Sequence, residues 1–424
     1  MVKLLYLVLD GVADRLADRI TSLELANKPG LDFIAENGIC GLMYPIGRGI
    51  APESDAAVIS ILGYDPRKSY TGRGPLEALG ANVEFKEGFE VAFRANFATV
   101  DSRSLRIIDR RVGRSLRTEE AKDLAKAIDG LKLSYDSYAK VKATVGHRAV
   151  VVIGSKRYKL SPMVENSDPA YGRKGLISVA IKGYEPFVRR VRPLDESFEA
   201  QITAELINEF TMKVIEILDN HPVNVKRRSE GLLPANIVLL RDAGNTLPKV
   251  TPLHEKYNAN FAFLAEMPVE LGIGRAFRAH VEEVPLPTGD PEKDYKVRLE
   301  KTLKLLEKYD IVYVHLKGPD EPGHDGNIEI KKKKIEEIDK YFVKPSLERM
   351  GENTAVMVTA DHATPPTVKA HTGDPVPVAL MCPGLEPDSV RKFTEKECAR
   401  GKLGTIEHGW ELLPKILEMI RTVT

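Results

Sequence analysis

Acidic and histidine side chains recur immediately beyond short apolar runs in this chain. Asp10 follows LYLVL, Asp320 and His324 follow IVYVHL, Asp361 and His362 follow AVMVT, and His371 lies in the loop KAHTGDP further on. Aspartate and histidine offer oxygen and neutral nitrogen donors. With no cysteine among them, they form a set that suits borderline divalent ions such as Mn²⁺ or Zn²⁺. Each segment alone has a plainer reading, because a DG pair is an ordinary turn and an aspartate in ADH can cap the turn behind it. Taken together, three Asp and three His placed in this way point to a centre for two metal ions.

A nucleophile can be read from GIAPESDAAVISILGYDP, where Ser54 precedes a helical run of Ala57, Val58, Ile61 and Leu62. A helix start presents free N–H groups and the positive end of the dipole to an anion. A metal beside the hydroxyl would lower its pKa and make it a nucleophile at neutral pH. The same position also fits an ordinary helix-capping serine. His315 lies inside an apolar run and reads as a packed core residue. His221, His254, His280 and His408 have no acidic loop beside them. The glycine-rich GRG at 47–49 and GRGPLEALG at 72–80 lack the Lys-Ser/Thr of a nucleotide-binding loop.

These residues need a scaffold that gathers them. The runs Leu4–Leu9, Ile237–Leu240, Phe261–Leu264, Ile311–Val314, Ala355–Val358 and Val376–Met381 are continuously apolar, as in parallel strands covered on both faces. Helical stripes fall at Asp294–Tyr309, Lys331–Met350 and Leu412–Ile420. The expected fold is therefore α/β, with a mostly parallel central sheet and helices on both faces. In such sheets ligands bind outside the carboxyl ends of the strands, where residues distant in sequence converge. The middle of the chain differs, with an arginine-rich stretch at 102–117, a Pro/Gly-punctuated region and a long apolar helix face from Phe198 to Ile217. The expectation is a core at 1–105 and 231–424, interrupted by a smaller inserted α+β domain at 106–230.

Composition narrows the function. Among 424 residues, 62 Lys and Arg nearly cancel 61 Asp and Glu. That balance speaks against nucleic-acid or membrane-surface binding. Cys40, Cys382 and Cys398 are far apart, so neither a disulfide framework nor a thiolate metal site is expected. The apolar start is too short for a secretory signal core or a membrane span, which reads as a cytoplasmic protein.

The ordered set Asp10, Ser54, Asp320/His324, Asp361-His362 and His371 resembles the alkaline phosphatase superfamily. Within it, the stretches LDGVADR, SDAAVISILGYDP, YTGRGPLEALGA, VAFRANFATVD, IIDRRVGR, SDPAYG, HLKGPDEPGHDG, TADHATP and HTGDPVP resemble the archaeal-type, cofactor-independent (2,3-bisphosphoglycerate-independent) phosphoglycerate mutases. Glu53 departs from the pattern, since a small residue is expected before the serine. The resemblance implies an alkaline phosphatase-like core and two divalent ions, Mn²⁺ first and Zn²⁺, Mg²⁺ or Co²⁺ as substitutes. One ion would be held by Asp320, His324 and His371, the other by Asp10, Asp361, His362 and the nucleophile Ser54. It also implies interconversion of 3-phosphoglycerate and 2-phosphoglycerate, in glycolysis and gluconeogenesis, through a phosphoserine and without a bisphosphoglycerate primer.

Mutase chemistry must exclude water while glycerate turns, which assigns the insert a lid role. Cations for the substrate's carboxylate and phosphate are then expected from His147, Arg148, Arg173, the Arg110/Arg111/Arg114 group and Lys317. Arg73 and Asp168 belong to the family motifs without a role of their own. A metal-dependent phosphatase or a phosphopentomutase-like enzyme on the same scaffold is the alternative.

Overall fold

The computed structural model describes residues 2–181 and 183–423. The chain divides into two compact units, residues 1–70 with 249–424, and residues 71–248.

The first unit is built on an eight-stranded sheet. Its spatial order is His280–Glu283, Phe261–Ala265, Ile311–Leu316, Lys3–Leu9, Thr354–Thr359, Val376–Met381, Ile39–Met43 and Gly404–Ile406. Every pairing is parallel except the two made by Val376–Met381, which runs against both neighbours. The apolar runs form strands as expected: Leu4–Leu9, Ile311–Leu316 and Thr354–Thr359 are buried throughout. Their side chains lie against cover on both faces, so truncating one, such as Leu7, costs about 2–5 kcal/mol.

Helix ends in this unit are set by local chemistry. Pro291–Lys308 starts on Asp290, whose side chain accepts from the Glu292 and Lys293 amides. The stripe expected over Lys331–Met350 is interrupted. Helix Ile328–Ile338 widens into a π turn at Asp339–Val343 before Lys344–Arg349. Pro345 has no N–H to continue the regular ladder. The buried Asp339 carboxylate accepts instead from Gly30 and Leu31, closing the start of helix Pro29–Glu36.

The second unit is antiparallel. Its six-stranded sheet runs Ile237–Gly244, Glu90–Val100, Arg148–Ser155, Ser137–Ala143 and Leu131–Leu133, with Ile107–Asp109 paired to Glu90–Val100. Helices Thr118–Ile128 and Phe198–Asp219 bury Leu124, Ile128, Leu206, Phe210 and Val214 in the same cluster as Phe93, Phe97 and Val151. The insert edges expected at 106 and 230 fall inside this unit. Glu90–Val100 and Ile237–Gly244 pair with each other, so both belong to the second unit. The run Ile237–Leu240 looked like a parallel core strand because burial on both faces gives the same continuous apolarity in an antiparallel sheet. Cys40, Cys382 and Cys398 are free and buried. Among the described residues no helix is long and apolar enough to cross a membrane.

Candidate metal centre

Three neighbouring parallel strands deliver the first donors. Leu9 pairs with Leu316, and Val8 with both His315 and Thr359. Continuing this register puts Asp10 level with Lys317 on one side and Asp361 on the other. Short bridges then stitch the loops beyond: Val12 and Ala13 meet Ala363, and Ala363 meets Thr372, next to His371. Asp320 opens a short helix, Asp320–Asp325, and His324 lies one turn on, so both point the same way. Gly11 is required beside Asp320 and Thr364. Its φ is +59°, and a Cβ there would lie 2.7 Å from Asp320 Oδ1 and from Thr364 Oγ1.

Ser54 is the first residue of helix Ser54–Ile61. Glu53 occupies the cap position and makes no side-chain capping bond. The serine hydroxyl does not cap the helix either. It faces the histidines, with Oγ 3.2 Å from His362 Nε2.

Hydrogen bonds fix the tautomers of three histidines. His324 Nδ1 lies 3.2 Å from the Lys369 carbonyl, and His371 Nδ1 lies 2.8 Å from that of Pro52. A carbonyl only accepts, so each Nδ1 carries the proton and each Nε2 keeps its lone pair. Those Nε2 atoms are 3.5 and 3.4 Å from Asp320 Oδ1. His362 Nδ1 is 2.9 Å from Thr364 Oγ1, which itself lies 2.7 Å from Asp320 Oδ1. The carboxylate takes the one hydroxyl proton, so Thr364 accepts from His362 Nδ1–H. His362 Nε2 is thereby a lone pair aimed at Asp10 Oδ1 and Asp361 Oδ2, 3.4 and 3.3 Å away.

Each buried carboxylate has one oxygen held and one left over. Asp361 Oδ1 accepts from the Gly11 and His362 amides at 3.1 Å, and Asp10 Oδ2 faces Lys317 Nζ at 3.1 Å. Asp10 Oδ1 and Asp361 Oδ2 have no hydrogen-bond partner among the described residues. A buried unpaired carboxylate oxygen is costly. Burial, then the charge of Asp10, pushes Asp361 up to about 7. Burial also opposes ionisation of Asp10, but Lys317, His315 and His362 outweigh it and hold its carboxyl well below the usual range. At Asp320, burial and Asp10 are outweighed by His371 and His362, which hold it to about 2.

The donor set fits divalent cations. Asp320, His324 and His371 form one group whose ligand atoms all lie within 4.8 Å of one another, and Asp10, Asp320 and His362 form another. Ligands about 2.1 Å from a common ion are separated by roughly 3.0–3.4 Å, close to the spacings seen here. The six Asp and His residues expected from sequence, with Ser54, are thus brought to one place.

Sequence reasoning missed part of this site. Thr364, which links Asp320 to His362, carries no signal beyond its place in TADHATP. Glu270, on helix Pro268–Ala276, is buried and receives the Lys317 ammonium at 2.7 Å. Burial opposes its charge, yet Lys317 and then His315 hold its pKa below the ordinary value. Lys317, expected to meet substrate, sits between Asp10 and Glu270.

The other expected substrate contacts lie in the second unit. His147 is pushed down to about 3 by burial, then by Arg148, Arg111, Arg114 and Arg241, so it is neutral near pH 7. Asp168 is buried and binds Arg110 through two bonds of 2.8 and 2.6 Å. Tyr171 has Arg110 and Arg241 over its ring, at 5.2 and 4.2 Å from the centroid. Arg173 donates to the carbonyls of Ala243 and Pro162. The pocket beside this cluster is lined by Arg110, Arg111, Arg114, Asp109 and Tyr184.

The family described as 2,3-bisphosphoglycerate-independent phosphoglycerate mutase matches residues 35–224. A protein of that name from Aeropyrum pernix is 47% identical over 99% of this chain and 100% of its own length. The solved structure of the cofactor-independent phosphoglycerate mutase from Thermoplasma acidophilum is 31% identical, with a TM-score of 0.61 over 99% of both chains. A solved structure from Pyrococcus horikoshii is 29% identical, with a TM-score of 0.78 over 99% of this chain and 97% of that one. With end-to-end identity of this order and with Asp10, Ser54, Asp320, His324, Asp361, His362 and His371 gathered at one sheet edge, the chain belongs to the archaeal-type 2,3-bisphosphoglycerate-independent phosphoglycerate mutase family.

Proposed function

We propose that this chain interconverts 3-phosphoglycerate and 2-phosphoglycerate through a phosphoserine on Ser54, beside two divalent cations, with no bisphosphoglycerate. The observation that carries the reading is the position of Ser54 Oγ, 3.2 Å from a histidine nitrogen that also faces two buried carboxylate oxygens without partners. Asp320, His324 and His371 would hold one ion. Asp10, Asp361, His362 and Ser54 would hold the other. When bound, the ions lower the pKa of the serine hydroxyl and offset charge on the phosphoryl oxygens.

The chain's own residues do the rest. Ser54 Oγ attacks phosphorus and forms the new O–P bond as the substrate's C3 oxygen leaves and takes a proton. The N-terminal end of helix Ser54–Ile61 would favour the negative charge of the transferred group. Glycerate then turns, its C2 hydroxyl attacks the phosphoserine, and Ser54 regains its proton. The Arg110/Arg111/Arg114 group with His147 and Arg148 would hold the glycerate carboxylate, a task that suits the planar guanidinium fork. The insert would act as the lid that keeps water from the phosphoserine. The test is to incubate the purified chain with 3-phosphoglycerate and Mn²⁺ and follow 2-phosphoglycerate and free phosphate together. Free phosphate alone as product would make the chain a phosphatase.

A further inference from the structure

His315 is fully inside the protein, on strand Ile311–Leu316 between Tyr313 and Lys317. Its Nδ1 lies 3.2 Å from the Tyr313 hydroxyl. Its Nε2 has no hydrogen-bond partner among the described residues. That nitrogen lies 3.6 Å from Asp361 Oδ2 and 3.9 Å from Asp10 Oδ1, the two carboxylate oxygens left over in the same cluster. Three buried polar atoms on three adjacent strands thus converge without satisfying one another. A histidine kept only for packing would turn its second nitrogen to a partner, because an orphaned buried polar atom is destabilising. The distances are also too long for hydrogen bonds. They fall nearer to the separation between two ligands of one ion, about 3.0–3.4 Å in a regular shell.

We propose that His315 Nε2 is a further ligand of the ion at Asp10, Asp361 and His362, so that four histidines rather than three serve the two-ion centre. The assignment rests on the metal reading above. With an ion bound, the Tyr313 hydroxyl would accept from His315 Nδ1–H and leave the Nε2 lone pair for the ion, as an outer partner does for a metal-bound imidazole. Lys317 takes no part in the shell. It is committed to Asp10 Oδ2 and Glu270 Oε1 and cancels charge there.

The measurement that needs no variant is ring-nitrogen NMR of histidine-labelled wild-type protein with and without Zn²⁺. Of the nine histidines, four should show metal-shifted Nε2 resonances. Titration with Co²⁺ supplies the second arm. His315→Gln should lose at least tenfold in affinity for one ion, keep the other unchanged, and alter the visible Co²⁺ spectrum. Two ions bound with three shifted nitrogens, or a folded His315→Gln protein with wild-type affinities and spectrum, overturns the role of His315 and leaves the two-ion reading standing. A wild-type chain that takes up no ion overturns both.

Discussion

Ser54 Oγ sits 3.2 Å from His362 Nε2, on the side of the imidazole that also faces Asp10 Oδ1 and Asp361 Oδ2. The hydroxyl therefore shares its surroundings with metal-type donors rather than with the free amides of its own helix. Ser54→Ala is expected to lower turnover by on the order of 10³-fold or more while the fold persists. Mass spectrometry of wild-type protein quenched with substrate should place one phosphoryl group on Ser54. Turnover near the wild-type rate in the alanine variant would remove the covalent step.

Metal removal is the second case. Activity should vanish in chelator and return with Mn²⁺. The Nε2 atoms of His324, His362 and His371 must be unprotonated to bind an ion, so affinity should fall as pH drops through the histidine range. Calorimetric titration at pH 8 and pH 5.5 checks this, and equal affinity at both would contradict it.

Thr364 gives a test of the hydrogen-bond order. Thr364→Val removes the proton that goes to Asp320 and the acceptor for His362 Nδ1–H. Metal affinity should fall about 10–100-fold, as is usual for an outer partner of a ligand. Thr364→Ser should restore most of it. Loss in the serine variant equal to that in valine would show that the methyl group, not the hydroxyl, is what matters.

Arg148 tests the division of labour between the two units. If the basic cluster retains glycerate, Arg148→Ala should raise the ratio of free phosphate to 2-phosphoglycerate severalfold. The ratio is the informative quantity, since misfolding lowers both products alike. An unchanged ratio at a reduced rate would separate Arg148 from retention of the intermediate.

Glu395 makes a prediction about stability. It is fully buried, accepts from the Asp14 amide and the Thr21 hydroxyl, and is pushed up from 4.5 to about 7, mainly by burial and then by Asp14. A raised carboxyl pKa favours the folded state fully below pH 4.5, and this contribution is lost as pH climbs to about 7. Glu395→Gln cannot ionise, so relative to wild type it should gain about 2–3 kcal/mol between pH 4.5 and pH 8. Urea unfolding across that range checks it. A difference between the two proteins that does not change with pH would mean that Glu395 is already ionised when folded.

Much of the candidate centre was legible because Asp and His are common donors to borderline divalent ions and the strand ends gather them. The apolar runs marked the strands, and the residues just beyond them marked the site. His315 carries no signal of its own because its neighbours alternate no polarity: on a strand buried on both faces, composition sets no residue apart. Glu270 escaped because it reaches the cluster from a helix with no motif. The compact unit at 71–248 is wider than the expected insert for a related reason, since Ile237–Leu240 has the composition of a core strand and only its pairing with Glu90–Val100 reveals the other sheet. Lys317 was expected to meet substrate, and in the fold its neighbours are carboxylates of the chain itself.

The reversed strand Val376–Met381 has a topological effect on the two candidate ion sites. Because it runs against Thr354–Thr359, the chain leaves one strand and enters the next at the same edge of the sheet. The connection carrying Asp361, His362, Thr364 and His371 never has to cross to the far side, as a parallel successor would require. One connection, buried over Asp361–Thr364, therefore carries donors of both candidate sites. Insertions or deletions in it would shift these donors relative to one another without changing the pairing of the two strands that flank it.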